Sequence, residues 1–376
     1  MKQLKIPDFD PRFTKLAKVL IEHSINLHEG DKLVLSASDF TCEALIHECY
    51  RLALQKGALV YLDIFGTNFE IGRADYGGFY QTFMTHAHEF NLITPPSITK
   101  SIVDWGDKFI RLTAIHDKQF LNTIDPKKLM QWQKTYFPIF DEMLKKDWIL
   151  TYLPTKALAD SSQMTLEQFT DFYFAACLVD YQQMDQEISA LEKIMDQGKI
   201  IKILGNNVDL EIGITGRLSE GQNSGKNNIP DGECFIAPVE NAINGYIKFE
   251  YPQIYQGKEI TDIYLELKAG KVINFSASKN QTLLKEIFNQ DPDNRRFGEL
   301  GIGMNRKITK YIKDILFDEK IYGTFHLALG RSYTEVRGGG KNQGTIHWDL
   351  IKEMRNQDSS ITIDGKVIFK KGQIKI

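Results

Sequence analysis

Carboxylates and imidazoles, the side chains that hold divalent cations, are spread through the C-terminal part of the chain. They run from Glu233, in Asn228-Ile-Pro-Asp-Gly-Glu-Cys-Phe-Ile-Ala-Pro238, to His347-Trp-Asp349. Two divalent ions can together polarise a peptide carbonyl and activate water near neutral pH, so convergence of these residues would make a metallohydrolase. His347 and Asp349 lie two apart in the strand-like run Gly344-Thr-Ile-His-Trp-Asp-Leu-Ile351, so an imidazole and a carboxylate leave the same face. His326 sits in an otherwise apolar strand that turns at Gly330 and is followed by Tyr333. Glu299 lies in Arg296-Phe-Gly-Glu-Leu-Gly-Ile-Gly303, whose three glycines within six residues let backbone approach something closely. Singly, each has a bland reading: a surface pair, a satisfied core histidine, a flexible turn.

Taken in order, Asn228-Ile-Pro-Asp-Gly-Glu-Cys-Phe-Ile-Ala-Pro238, Gly298-Glu-Leu300, Leu316-Phe-Asp-Glu-Lys320, His326-Leu-Ala-Leu-Gly-Arg-Ser-Tyr333 and Ile346-His-Trp-Asp349 resemble the aminopeptidase T/aminopeptidase S family of leucyl-type metallo-aminopeptidases. The likeness reaches the first half of the chain through Gly30-Asp-Lys-Leu-Val-Leu-Ser36 and Tyr152-Leu-Pro-Thr155. The resemblance implies metal ligands at Glu233, Glu299 (of the bridging type), His326, His347 and Asp349, with an active-site tyrosine at Tyr333. It implies a further ligand at Glu319, although the spacing from Glu319 to His326 is longer than in the best-known members. Cys234-Phe235 and Trp348 stand where Val-Phe and Val are commoner, which points to an altered apolar shell around retained ligands. The resemblance also implies a homodimer, with an enclosed cavity that limits substrates to short peptides.

A carboxylate can bridge two cations about 3.5 to 4 Å apart, which suits Glu299 or Asp349, while Glu233, His326 and His347 would be terminal ligands. The Tyr333 phenol could donate to a developing oxyanion or bind a metal itself, and Glu233 or Glu319 could hold the substrate's α-amine. The catalytic residues are therefore expected to be Tyr333 and Glu233. Mixed carboxylate and imidazole donors accept two ions of Zn, the expected metal, or of Co, Mn or Mg. Two rivals remain. One is a mononuclear Fe(II) ring-cleaving dioxygenase of related fold, and the other is a peptide-binding relative without turnover. His86-Ala-His88 could project two imidazoles from one strand face but has no carboxylate cluster beside it, and Arg337-Gly-Gly-Gly-Lys341 reads as a flexible active-site loop.

The elements that position these residues are those of an ordinary soluble protein. The chain has 376 residues, 42% hydrophobic and 25% charged, so two domains are the default. A net charge of -3 gives no cationic field for nucleic acid. The start lacks the apolar run of a signal peptide and no stretch approaches a membrane span, so no membrane partner and a cytoplasmic location are expected. Four irregularly spaced cysteines are expected as free thiols, with Cys234 beside Glu233 a candidate support for the site. Up to residue 197 an α/β domain with a parallel-type sheet is expected. Its strands are Lys32 to Ala37, Ala58 to Ile64, Phe109 to Ile115 and Trp148 to Leu153, and its helices run from Asp10 to His23, Thr41 to Lys56 and Pro126 toward Lys146. Helices from Thr165 to Asp180 and Gln182 to Gln197 then lead to a boundary near residue 198. Residues 198–376 are expected as an α+β metal-binding domain, with short alternating strands, hairpin turns at Lys268-Ala-Gly-Lys271 and Asp364-Gly365, and helices at Thr282 to Ile287 and Thr309 to Leu316.

Overall fold

The computed structural model describes residues 10–64, 78–221, 224–333 and 339–376. The chain forms two compact units, Met1–Leu178 with Gly225–Pro230, and Val179–Ser224 with Asp231–Ile376. Among the described residues no helix is long and apolar enough to cross a membrane.

In the first unit the strands Leu59–Ile64, Lys32–Ala37, Lys108–Ala114 and Asp147–Leu153 lie side by side in that order, all parallel. The short strand Asn228–Ile229 adds parallel to the last of them. The two central strands are almost wholly buried, and for that reason they read as continuous apolar runs rather than as alternation. The helix Pro126–Leu144 starts with proline in its first turn, and the Asp125 carboxylate accepts from Lys127 N at 2.9 Å. The helix Arg12–Lys18 passes into a wider π-helical turn, Val19–Ser24, where the sequence pattern predicts one regular helix. His86 ends the helix Gly78–His86 and His88 caps Glu89–Ile93, so no strand face joins them.

The second unit is built on antiparallel sheets. Eight strands lie in the order Lys271–Ser276, Ile263–Lys268, Ile243–Phe249, Val208–Gly213, Ile200–Gly205, Ser360–Ile363, Lys366–Lys370 and Gln373–Ile374. Alternate residues point inward, with Ile201, Ile203, Leu210, Ile212, Ile247, Phe249 and Leu265 all fully buried. Both expected hairpin turns form: Ala269 and Gly270 have φ of +48° and +74°, and Asp364 and Gly365 have +48° and +83°, the left-handed pair that a tight two-residue turn needs. Of the expected helix from Thr309 to Leu316 only the end is helical, in Ile315–Asp318. The Asp318 carboxylate accepts from Ile312 N at 2.7 Å and Asp314 N at 2.8 Å, capturing donors that a helix would have used.

The helix Tyr181–Gln197, which the sequence boundary near residue 198 would assign to the first domain, lies in the second unit. Its apolar stripe of Met184, Ile188, Leu191 and Met195 is buried, and Met195 Sδ lies 3.7 Å from Cys234 Sγ. The expected boundary therefore falls after the helix instead of before it. Leu265 fills the large sheet's core, so Leu265→Ala is expected to cost about 2 to 5 kcal/mol in urea unfolding; a loss under about 0.5 kcal/mol would contradict this packing.

Candidate metal centre

A second, four-stranded antiparallel sheet carries the chemistry, in the order His347–Glu353, Thr324–Gly330, Phe297–Gly303 and Glu233–Ile236. Residues directly opposite each other share a face, so the register shows what that face presents. Asp349 lies opposite Ala328, which lies opposite Glu299. His326 lies opposite Gly301, His347 opposite Gly330, and Glu233 opposite Gly303. Every ligand-type residue thus has a glycine or alanine beside it, and the small neighbour leaves room for the larger side chain. A Cβ on Gly301 would stand 2.1 Å from His326 Nε2, so the imidazole occupies the space that the missing side chain leaves. The opposite face, with Leu300, Ile302, Leu327, Leu329 and Leu350, is buried core. Cys234 belongs to that face and turns its thiol to Met195, away from the ligands.

The side chains converge in two groups, Glu233, Glu299 and His326, and Glu299, His347 and Asp349. Within each group the candidate ligand atoms lie within 4.8 Å of one another, and Glu299 belongs to both. His326 Nε2 is 3.1 Å from Glu299 Oε1 and 3.5 Å from Glu233 Oε2; His347 Nε2 is 3.5 Å from Asp349 Oδ1 and 3.8 Å from Glu299 Oε2. Both histidines are held from behind: His326 Nδ1 faces the Glu319 carbonyl at 3.2 Å and His347 Nδ1 faces the Arg331 carbonyl at 2.7 Å. A proton on each Nδ1 satisfies those carbonyls and aims Nε2 at the cluster, the arrangement of metal-ligating imidazoles. Glu233 Oε2, Glu299 Oε2 and Asp349 Oδ1 are buried without a hydrogen-bond partner. Buried carboxylate oxygens left unsatisfied are costly, and the donor set fits divalent cations that would satisfy them.

Burial pushes the Glu233 carboxyl up to about 8, with Glu319 and Glu299 adding to the shift against Lys320 and His326. Burial alone would depress the imidazoles, but Glu299, Glu233 and Asp349 hold His326 at about 9, and Asp349 and Glu299 hold His347 at about 10. Burial would likewise raise Asp349, but His347 holds it at about 2. Protons therefore gather where cations are wanted. Tyr333, half exposed, places its ring centroid 5.0 Å from that of His347 and 5.9 Å from that of Phe235. Desolvation and the carboxylates of Glu299, Asp349, Glu319 and Glu233 raise its phenol well above the usual range, so it remains a hydrogen donor. Residues 334–338, which include the start of the expected glycine loop, lie outside the described residues.

Glu319 belongs to neither converging group. Its carboxylate instead accepts a hydrogen bond from Lys320 Nζ, and that ammonium, with no exposed surface, also lies 3.6 Å from Glu233 Oε1. Reading by ligand type passes over Lys320, because lysine is no ligand near neutral pH; its signal was its place next to Glu319 in an apolar stretch.

The thermophilic metalloprotease (M29) family matches residues 9–374 of the chain. Aminopeptidase 2 of Geobacillus stearothermophilus is 24% identical, over 97% of this chain and 98% of its own. Wild-type AmpT from Thermus thermophilus has a similar fold, with a TM-score of 0.79 at 18% identity over 97% of this chain and 99% of that one. The 2,5-dihydroxypyridine dioxygenase of Pseudomonas putida is more distant in fold, with a TM-score of 0.57 at 15% identity over 98% of each chain.

Two expectations follow from this geometry. Gly301→Ala pushes His326 off its position, so divalent-metal affinity measured against a competing chelator should fall about 10- to 100-fold; an unchanged affinity would contradict the packing of Gly301 on the imidazole. Ligation needs neutral imidazoles, and below about pH 9 both carry a proton in the metal-free site, so loading should release protons. Apparent affinity should then rise about tenfold per pH unit for each proton displaced, read as buffer-dependent heats in calorimetry, and an affinity flat between about pH 6 and 8 would contradict the assignment.

Proposed function

The chain belongs to the thermophilic metalloprotease (M29) family, the aminopeptidase T/aminopeptidase S family that its motifs resemble, and from that premise we propose that it removes N-terminal amino acids from short peptides with the help of two divalent metal ions. The observation that carries the two-ion reading is the pair of donor groups sharing Glu299, with an unsatisfied buried oxygen in each. In this reading Glu233 and His326 would hold one ion, His347 and Asp349 the other, and Glu299 would serve both. Glu319 was expected as a sixth ligand, but its pairing with Lys320 makes it a supporting residue in this proposal. When bound, such ions supply Lewis-acid polarisation of the scissile carbonyl and a lowered pKa for water. Zinc is the ion we favour, with cobalt, manganese or magnesium compatible with the same donors.

The rest of the chemistry belongs to the chain. Tyr333, whose ring centroid lies 5.0 Å from that of His347, donates its phenol hydrogen to the oxyanion that forms as the carbonyl carbon becomes tetrahedral. An aminopeptidase must also hold the substrate's α-amine, and Glu233, which belongs to only one of the two donor groups, is our choice for that contact. The resemblance supports, as part of this proposal, a homodimer.

The dioxygenase likeness keeps one rival in view, because a His/carboxylate set can also hold a single Fe(II). Two donor groups joined by one glutamate favour a pair of ions over one. Metal content combined with turnover separates the readings: we expect two redox-silent ions per chain and release of the first residue from aminoacyl reporters and dipeptides. One iron per chain with oxygen uptake would replace the peptidase reading, and a metal-loaded protein inert to a broad dipeptide panel would favour a binding role.

Glu299→Gln or His347→Ala should abolish turnover while far-ultraviolet circular dichroism stays unchanged, since ligands rather than core are removed; retained turnover in either would count against the ligand set. Tyr333→Phe should lower kcat about 10²- to 10³-fold with KM little changed, and a selective rise in KM would instead make Tyr333 a binding residue.

A further inference from the structure

Lys320 is the only lysine among the described residues that touches the metal cluster, and its surroundings are built to hold it there. Gly303 lies on the site face, and a Cβ at that position would stand 2.1 Å from the Ile321 carbonyl oxygen and 2.8 Å from the Lys320 carbonyl carbon. The missing side chain lets the 320–321 backbone lie directly on the strand. Asn305 N fixes the segment further by donating to the Lys320 carbonyl at 3.0 Å. The ammonium is then buried between two carboxylates, bonded to Glu319 and 3.6 Å from Glu233 Oε1, with Asp231 adding to the negative field. Glu233 Oε2, the other oxygen of the same group, has no hydrogen-bond partner and lies 3.5 Å from His326 Nε2.

We propose that Lys320 is a built-in counter-cation that withdraws Glu319 from the ligand set and makes the two metal sites unequal, the Glu233–His326 side weak and the His347–Asp349 side strong. The proposal rests on the two-ion reading above. Its physical basis is that a fixed positive charge beside Glu233 opposes a second cation there, while it also neutralises the one carboxylate that could have strengthened that side. The ammonium's field reaches Asp349 as well, but its close contacts are with Glu319 and Glu233, while Asp349 and His347 pair with each other. The Glu319 main chain still serves the weak side, since its carbonyl orients His326. Lys320 is thus a positioning residue: it acts on the metals through Glu319 and Glu233.

The test is a Zn²⁺ titration of the metal-depleted full-length protein against a competing chelator, for the unaltered chain, Lys320→Met, Glu319→Gln and the double variant. The unaltered chain should bind two ions with clearly separated affinities. Lys320→Met frees Glu319 and removes the opposing charge, so the weaker site should tighten about 10- to 100-fold while the stronger moves little. Damage to the fold would weaken binding, so tightening is a signature that a merely structural lysine would not give. Glu319→Gln should weaken the weaker site by letting the ammonium turn fully to Glu233. The double variant replaces the charged pair with a neutral one and should return the weaker site to near the unaltered value, which also keeps the question answerable if Lys320→Met alone folds poorly. A weaker site unmoved or loosened by Lys320→Met in a folded protein, or a double variant as weak as Glu319→Gln, would overturn the proposal and return Glu319 to the ligands. One ion per chain in the unaltered protein would sink the two-ion reading and this proposal with it.

Discussion

The constraint on which the second unit depends is the burial of like charges. Glu233, Glu299, Glu319 and Asp349 influence one another's surroundings in a region where water is largely excluded, with Lys320 as the one permanent counter-charge among the described residues. Buried carboxylates so close together repel, and without cations the repulsion must be relieved by taking up protons. The lifted proton affinities of His326, His347 and Glu233 are that relief. Divalent ions held there would relieve the same repulsion with fixed charge, leaving the imidazoles neutral and the oxygens satisfied.

To bring these groups together the sheet gives up side chains. Gly301 makes room for the His326 ring, Gly303 for the backbone at Lys320 and Ile321, and Gly298 for the Gly330 carbonyl, which a Cβ would approach to 2.4 Å. Glycine weakens a strand, by loss of packing and by the entropy of the unfolded chain. The reverse face compensates with large buried residues such as Leu300, Leu327 and Leu350, and the helix Tyr181–Gln197 contributes Met195 against Cys234. Packing on one side of the sheet thus fixes the geometry of ligands on the other.

Much of this was legible in the residues. Strand periodicity put His347 and Asp349 on one face, and the glycines around Glu299 announced a close approach, though only the structure shows that His326, Ile321 and Gly330 are what approach. The same period of two would have placed Cys234 opposite Glu233, where it packs on Met195 and not beside the ligands. The parallel strands of the first unit stood out because burial on both faces writes continuous apolar runs. Less legible were features set by side chains distant in the chain. The Asp318 carboxylate unwinds the expected helix before it, packing on the Glu233–Ile236 strand draws Tyr181–Gln197 into the second unit, and Lys320 contacts a Glu319 carboxylate that the motif alone presents without a partner.

Family membership implies a divalent metal and the class of reaction, and the proposal of two ions instead of one rests on the shared Glu299. A dioxygenase of similar fold shows that the scaffold alone does not decide the reaction. The most direct measurement is anomalous diffraction at the zinc edge from crystals of the metal-loaded protein. The account predicts two peaks flanking Glu299, one beside Glu233 and His326 and one beside His347 and Asp349. A single peak, or peaks away from Glu299, would contradict it.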